Sequence, residues 1–188
     1  MRKAVFILPA LLAVWLLQSC GNANPQKDKP VDSAQDINEV VKPVDNNSSE
    51  FAVEAANGSM MEVEMGKLAQ EKAQNPRVKA FATMMVNDHS RAEDEIKALA
   101  AQKNITLPAE LATSEKEHMD NLAKKKGKDF DKSYIDMMVD DHNKDVKAFE
   151  KASSDITDQD LKSWAGKTLP VLKTHQDSAN AIQTALKK

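Results

Sequence analysis

The chain has 188 residues, 41% of them hydrophobic but only 4% aromatic, and a formal charge of −3 from 26 basic and 29 acidic side chains. That balance excludes the strongly basic surface on which nucleic-acid binding depends, so no nucleic-acid partner is expected. A single cysteine, Cys20, excludes an intrachain disulfide and a zinc site built from several thiolates.

The N-terminus reads as an export signal. Met1-Arg2-Lys3 gives a positive start, and the apolar run from Ala4 to Leu17 has the length of a secretory signal rather than of a spanning helix. It closes on Leu17-Gln18-Ser19-Cys20, the pattern of a bacterial lipobox. Residues 1–19 are therefore expected to be a lipoprotein signal peptide and Cys20 the lipidated residue, holding the protein to a membrane of the cell envelope. Gly21 after the cysteine is compatible with the outer membrane or a periplasm-facing position. Cleavage before Cys20 removes two basic residues and no acid, so the formal charge moves from −3 to −5. Residues 20–47 carry Pro25, Pro30 and Pro43 among Asn, Asp, Lys and Ser, and read as a flexible tether with a reach of roughly 30 Å. Residues 48–188 then form one domain of about 140 residues, able to bury about two-thirds of its unfolded surface.

Within that domain the apolar residues recur at spacings of three and four, and no segment alternates as a strand does. Asn47-Ser48-Ser49-Glu50 resembles a capping box and opens a first helix to about Ala73, with Glu62 at the edge of its apolar stripe. Gly58 and Gly66 inside it are expected to mark close approach to another helix. Asn75 caps a second helix with Pro76 in its first position, and its stripe runs through Phe81, Met85, His89 and Ile96. Pro108 is expected to begin a shorter third helix bearing Glu115, closed by Gly127. A fourth, from Phe130 to Ala152, carries Met138 and His142. Thr157 with Asp160 opens a fifth, in which Pro170 should bend the helix just before His175. The expectation is an all-α up-down bundle of about five helices.

Two of these helices carry one motif. Met84-Met85-Val86-Asn87-Asp88-His89 returns fifty-three residues later as Met137-Met138-Val139-Asp140-Asp141-His142, with five of six positions identical, which marks an internal duplication. Counting residues from the turns sets Glu62 level with His89 and Glu115 level with His142. The duplication thus predicts two Glu/His pairs related by a pseudo-twofold.

From Phe51 to the C-terminus the chain resembles the bacterial domain of unknown function family 4142, described as outer-membrane proteins with a ferritin-like helical fold. The residues carrying the likeness are Glu62 with Gly66-Lys67-Leu68-Ala69, Val78-Lys79-Ala80-Phe81-Ala82, the two Met-Val-x-Asp-His motifs, Phe130-Asp131-x-x-Tyr134, and Leu169-Pro170-x-Leu172-x-x-His175. The resemblance implies a ferritin-like bundle and an envelope location, and no biochemical activity. The Glu-x-x-His motifs of di-iron sites are missing, since Val86 and Val139 stand three residues before His89 and His142.

Nothing in the chain supports nucleophilic catalysis: it has no nucleophile elbow, no phosphate loop, and a cysteine only at the anchor. Two readings of the inward histidines remain. In the first, the protein is a non-enzymatic binding or structural module whose Glu/His pairs are a buried polar network. In the second, Glu62, His89, Glu115, His142 and His175 hold a transition metal ion, with Met85 and Met138, each four residues before a histidine, as soft ligands suited to copper.

Overall fold

The computed structural model describes residues 29–187, in which six α-helices and no strand are found. They are α1 (Lys29–Val41), α2 (Asn46–Lys72), α3 (Pro76–Lys103), α4 (Thr113–Ala123), α5 (Gly127–Asp155) and α6 (Gln159–Leu186). The expected signal peptide and Cys20 lie outside the described residues.

The count is six rather than five because α1 forms within the stretch read as a tether. Its inward positions, Val31, Ala34 and Asn38, follow helical spacing, but the segment is short and sits among Pro, Asn and Asp residues whose composition reads as a tether. Val31 and Ala34 pack with Val53 of α2 and Ala112. Asn38 adds hydrogen bonds to this packing: its amide donates to the Thr106 carbonyl (2.9 Å) and accepts from the Thr106 N–H (2.8 Å), as a strand neighbour would.

Four long helices make the bundle. Short turns at 73–75 and 156–158 fold α2 against α3 and α5 against α6, and the two hairpins meet through α2 with α5 and α3 with α6. Each turn is tied to the opposite hairpin. Asp131, buried near the start of α5, accepts from the backbone N–H of Gln74 (3.0 Å) and Asn75 (2.8 Å). In return, Asp45 before α2 caps Ser48 and accepts from Thr157, and the Asp158 N–H donates to the Ser48 hydroxyl (3.3 Å).

The caps differ in detail from the sequence reading. Asp45, not Asn47, is the cap of α2, and Asp158, not Thr157, is the cap of α6, accepting from Leu161 N–H at 3.0 Å. Asn75 caps α3 as expected, through Arg77 N–H at 2.9 Å. Pro108 starts no helix. Residues 105–112 instead lay Ile105, Leu111 and Ala112 across the bundle, held where Asn57 of α2 accepts from the Ala112 N–H (3.0 Å). Gly127 has φ +57° but opens α5 rather than closing α4. α6 runs through Pro170 as one helix, and the exposed Gly166, whose carbonyl loses its partner there, lies where solvent can supply one.

Beside the small cluster under α1, the core falls into two larger apolar clusters. One gathers Met61, Met65, Phe81, Met85, Phe130, Tyr134, Met138 and Ala179; the other gathers Ala55, Ala56, Ile96, Val146, Phe149, Trp164 and Leu172. In α3, α5 and α6 the change from one cluster to the other is bridged by a buried histidine, His89, His142 and His175, and in α2 the buried Glu62 lies one residue past the change. A polar layer therefore crosses the middle of the bundle, with one side chain from each of its four long helices.

Candidate metal centre

All four residues of that layer are buried, with His142 at 0%, Glu62 and His175 at 1% and His89 at 3% exposure. Polar groups so deep must find partners inside the protein. His89 Nδ1 lies 2.7 Å from Glu62 Oε2. His142 Nδ1 lies 2.9 Å from the carbonyl of Met138, one turn earlier in its own helix. His175 Nε2 lies 3.0 Å from Asp88 Oδ2. The Met138 carbonyl accepts only, and so do Glu62 and Asp88 when ionised, so with those carboxylates charged each of these ring nitrogens carries the proton, an assignment made from the neighbours.

The opposite ring nitrogens are then bare, and they converge. His175 Nδ1 is 3.2 Å from His89 Nε2 and 3.3 Å from His142 Nε2. The lone pair of His175 Nδ1 meets two others at hydrogen-bond distance, with no hydrogen among the three. Among the described residues this is the one group of three or more His, Cys, Asp or Glu whose ligand atoms all lie within 4.8 Å of one another.

Electrostatics oppose a proton shared among these nitrogens. Burial pushes the His89 imidazole down to about 4, against the pull of Asp88. Burial likewise lowers His142, against Glu62, and His175, against its bond to Asp88. Burial raises the Glu62 carboxyl to about 7, with His142 acting the other way. A proton resting on Glu62 would let His89 switch tautomer and donate from Nε2 to His175. The single lone pair of His175 Nδ1 would still leave His142 Nε2 facing nothing.

The sequence placed Glu62, His89, His142 and His175 together, and they meet. It also placed Glu115 opposite His142, and there the structure differs. α4 has only 11 residues, Glu115 sits in its first turn, and its near partner is His118 at 3.4 Å. The long partner of α5 is α6, not α4, so His142 turns to the carboxylate already serving His89, with Glu62 Oε1 3.4 Å from its Nδ1. One carboxylate stands beside both copies but bonds only His89, so the two expected Glu/His pairs reduce to one. Met85 and Met138 are fully buried in the apolar cluster with Phe81, Phe130 and Tyr134.

The duplicated aspartates have also parted. Asp88 orients His175, whereas Asp141 faces a cavity of about 340 Å³ on the other side of Glu62 and His89. Asp145 lines the same cavity and was missed by the sequence reading. Burial, then the charges of Glu62 and Asp141, hold its carboxyl well above the ordinary range. The available signal was the break in the repeat: three residues after His142 stands Asp145, where three residues after His89 stands Ala92.

The family described as "Domain of unknown function (DUF4142)" matches residues 36–182. Comparison with curated proteins and with solved structures finds no match.

Proposed function

We propose, for a chain that belongs to the DUF4142 family, that the bundle is a metal-binding module, holding one divalent transition metal ion on His89, His142 and His175. The observation that carries this reading is the convergence of three bare imidazole nitrogens at 3.2 and 3.3 Å, each ring fixed from behind by a carboxylate or carbonyl. Tetrahedral ligation at ordinary zinc–nitrogen bond lengths sets such nitrogens roughly 3.3 Å apart. The outer acceptors are those a ligating histidine usually has. An all-imidazole donor set suits zinc or copper(II), and the methionines then serve as core filler rather than as soft ligands.

Four long helices giving one side chain each to a mid-bundle site support a ferritin-like arrangement, though one without Glu-x-x-His motifs. The lipobox at Leu17–Cys20 supports an envelope lipoprotein whose domain stands clear of the membrane, on the outer membrane or facing the periplasm. No catalytic role is assigned.

Two measurements test this. Protein purified without chelator or affinity tag should retain about one zinc or copper ion per chain by elemental analysis, and His142→Ala should retain none. Added metal should raise the melting temperature of the parent and leave that of the variant unmoved. Absence of metal together with an unmoved parent curve would leave the layer a purely structural polar network. Cys20→Ser should release the protein from the membrane fraction, and its persistence there would overturn the anchor.

A further inference from the structure

We infer that the cavity beside the histidines is a second cation site, for a hard divalent ion such as Mn²⁺ or Mg²⁺ that keeps part of its water shell. Glu54, Glu62, Glu115, Asp141 and Asp145 line this cavity of about 340 Å³, Glu54 accepting from the Gln35 amide at 2.9 Å, and Lys144 is the one lysine or arginine on its wall. That lysine is 77% exposed at its side chain and reaches only Asp141, at 3.5 Å. Five carboxylates thus share one pocket with a single peripheral ammonium.

A group of acids alone would be an ordinary solvated wall. What separates this one is Glu62, a residue 99% buried on the cavity wall, whose Oε1 has no hydrogen-bond partner. The nearby His142 Nδ1, at 3.4 Å, does not supply one, because its hydrogen points to the Met138 carbonyl at 2.9 Å. An orphaned carboxylate oxygen in a concave acidic pocket is an acceptor prepared for a cation or for water held by one.

The spacing decides the class of ion. Among the described residues no three carboxylates bring oxygens within 4.8 Å of one another. The pocket therefore offers no close cage for a bare ion, but its volume accommodates an ion with several waters bonded to the surrounding acids, as magnesium and manganese commonly bind. Hard oxygen donors select these ions over those that prefer the imidazoles next door. The two sites share Glu62, one through each oxygen, yet the second does not require the first to be filled.

Electron paramagnetic resonance of Mn²⁺ titrated into the zinc-treated full chain tests this, since bound Mn²⁺ loses the sharp signal of the free ion. A single Mn²⁺ should bind. Asp145→Asn, and independently the more exposed Glu115→Gln, should each weaken it by roughly tenfold or more, with zinc content unchanged. His175→Gln, which alters no residue of the cavity wall, should still bind Mn²⁺ whatever its zinc content, so failure of the histidine site and failure of this one are read separately. Mn²⁺ remaining free at millimolar concentration would overturn the proposal. So would binding that is lost in His175→Gln and unchanged in Asp145→Asn and Glu115→Gln, all three giving the helical circular dichroism of the parent.

Discussion

His142 Nε2 and His175 Nδ1 stand 3.3 Å apart, each bare because the other nitrogen of its ring donates outward, to the Met138 carbonyl and to Asp88. Two acceptors at a donor's distance repel unless a cation lies between them, and His89 Nε2 joins them at 3.2 Å from His175. The convergence is held by acceptors behind the rings rather than by contact between the rings themselves. Those outer acceptors are therefore as informative a target for mutation as the histidines.

Asp88→Asn should lower metal affinity by roughly 10- to 100-fold, because the amide no longer holds His175 with Nε2 protonated and Nδ1 bare. Asp141→Asn, the same change in the other copy of the repeat, should leave affinity for zinc or copper within a few-fold of the parent, since Asp141 faces the cavity and not an imidazole. Competition titration against a chromogenic chelator measures both. Equal effects at the two positions would show that the aspartates act through general charge and not by orienting a ring.

The two glycines of α2 should respond to alanine in opposite directions. A Cβ on Gly66 would lie 2.7 Å from Val86 Cγ2 and 3.3 Å from the Ala82 carbonyl, so α3 must move or Val86 must turn. Gly66→Ala should destabilise by about 1–3 kcal/mol, with partial recovery in combination with Val86→Ala. Gly58 meets nothing within 4 Å, contrary to the close approach expected of both, and Gly58→Ala should stabilise by about 0.5–1 kcal/mol. Denaturant unfolding of the variants gives each difference.

What the sequence disclosed follows from what kind of signal each element leaves. The four long helices were legible because their apolar periodicity persists over many turns, and Asn75-Pro76 is read one residue at a time. The histidines were legible because an imidazole on an apolar stripe can only point inward. α1 was hidden because Asn38, its decisive residue, bonds to Thr106, sixty-eight residues away, and nothing local announces that. The assignment of Glu115 to His142 failed for a related reason: counting from turns presumes that consecutive helices are paired, whereas the 105–112 segment crosses the bundle and leaves α5 to pair with α6. Glu62 lying beside two histidines is a consequence of that pairing and is invisible to periodicity.

A domain trimmed to residues 48–187 should be less stable than one spanning 29–187. Trimming removes the cover over Val53 and Ala112, both bonds of Asn38 to Thr106, and the Asp45 cap with its link to Thr157. The lost cap and the two lost hydrogen bonds are each worth about 1 kcal/mol, so a deficit of several kcal/mol is expected with most helical content retained. Asn38→Ala in the longer chain should account for about 1–3 kcal/mol of it, since it leaves the Thr106 N–H and carbonyl unpaired. Paired thermal melts of the three proteins check this, and equal melting temperatures would mean that α1 does not hold the 105–112 crossing.

Acid should destabilise the metal-free domain through the histidines while Glu62 acts in the opposite sense. For His89, lowered by burial from 6.5 to about 4, the unfolded chain gains a proton as the pH falls through 6.5 while the folded chain does not. Stability conferred by keeping this ring neutral is therefore whole above about pH 6.5 and drains away down to about pH 4. The draining amounts to an upper value on the order of 3 kcal/mol for the single group. His142 and His175, lowered by the same cause, add to it in the same direction. Glu62, raised from 4.5 to about 7, binds its proton more tightly when folded, so its contribution is whole below about pH 4.5 and is lost as the pH rises to about 7. In Glu62→Gln the opposing term is gone, and stability should fall more steeply than in the parent as the pH is lowered from 7 to 4.5. Denaturant unfolding at intervals across that range measures the two slopes, and imidazole NMR shifts report whether His89 stays neutral below pH 5. Parallel slopes for parent and Glu62→Gln, or a His89 that titrates near 6.5, would show that water reaches the layer and that the three imidazoles are not held in a dry, acceptor-lined site.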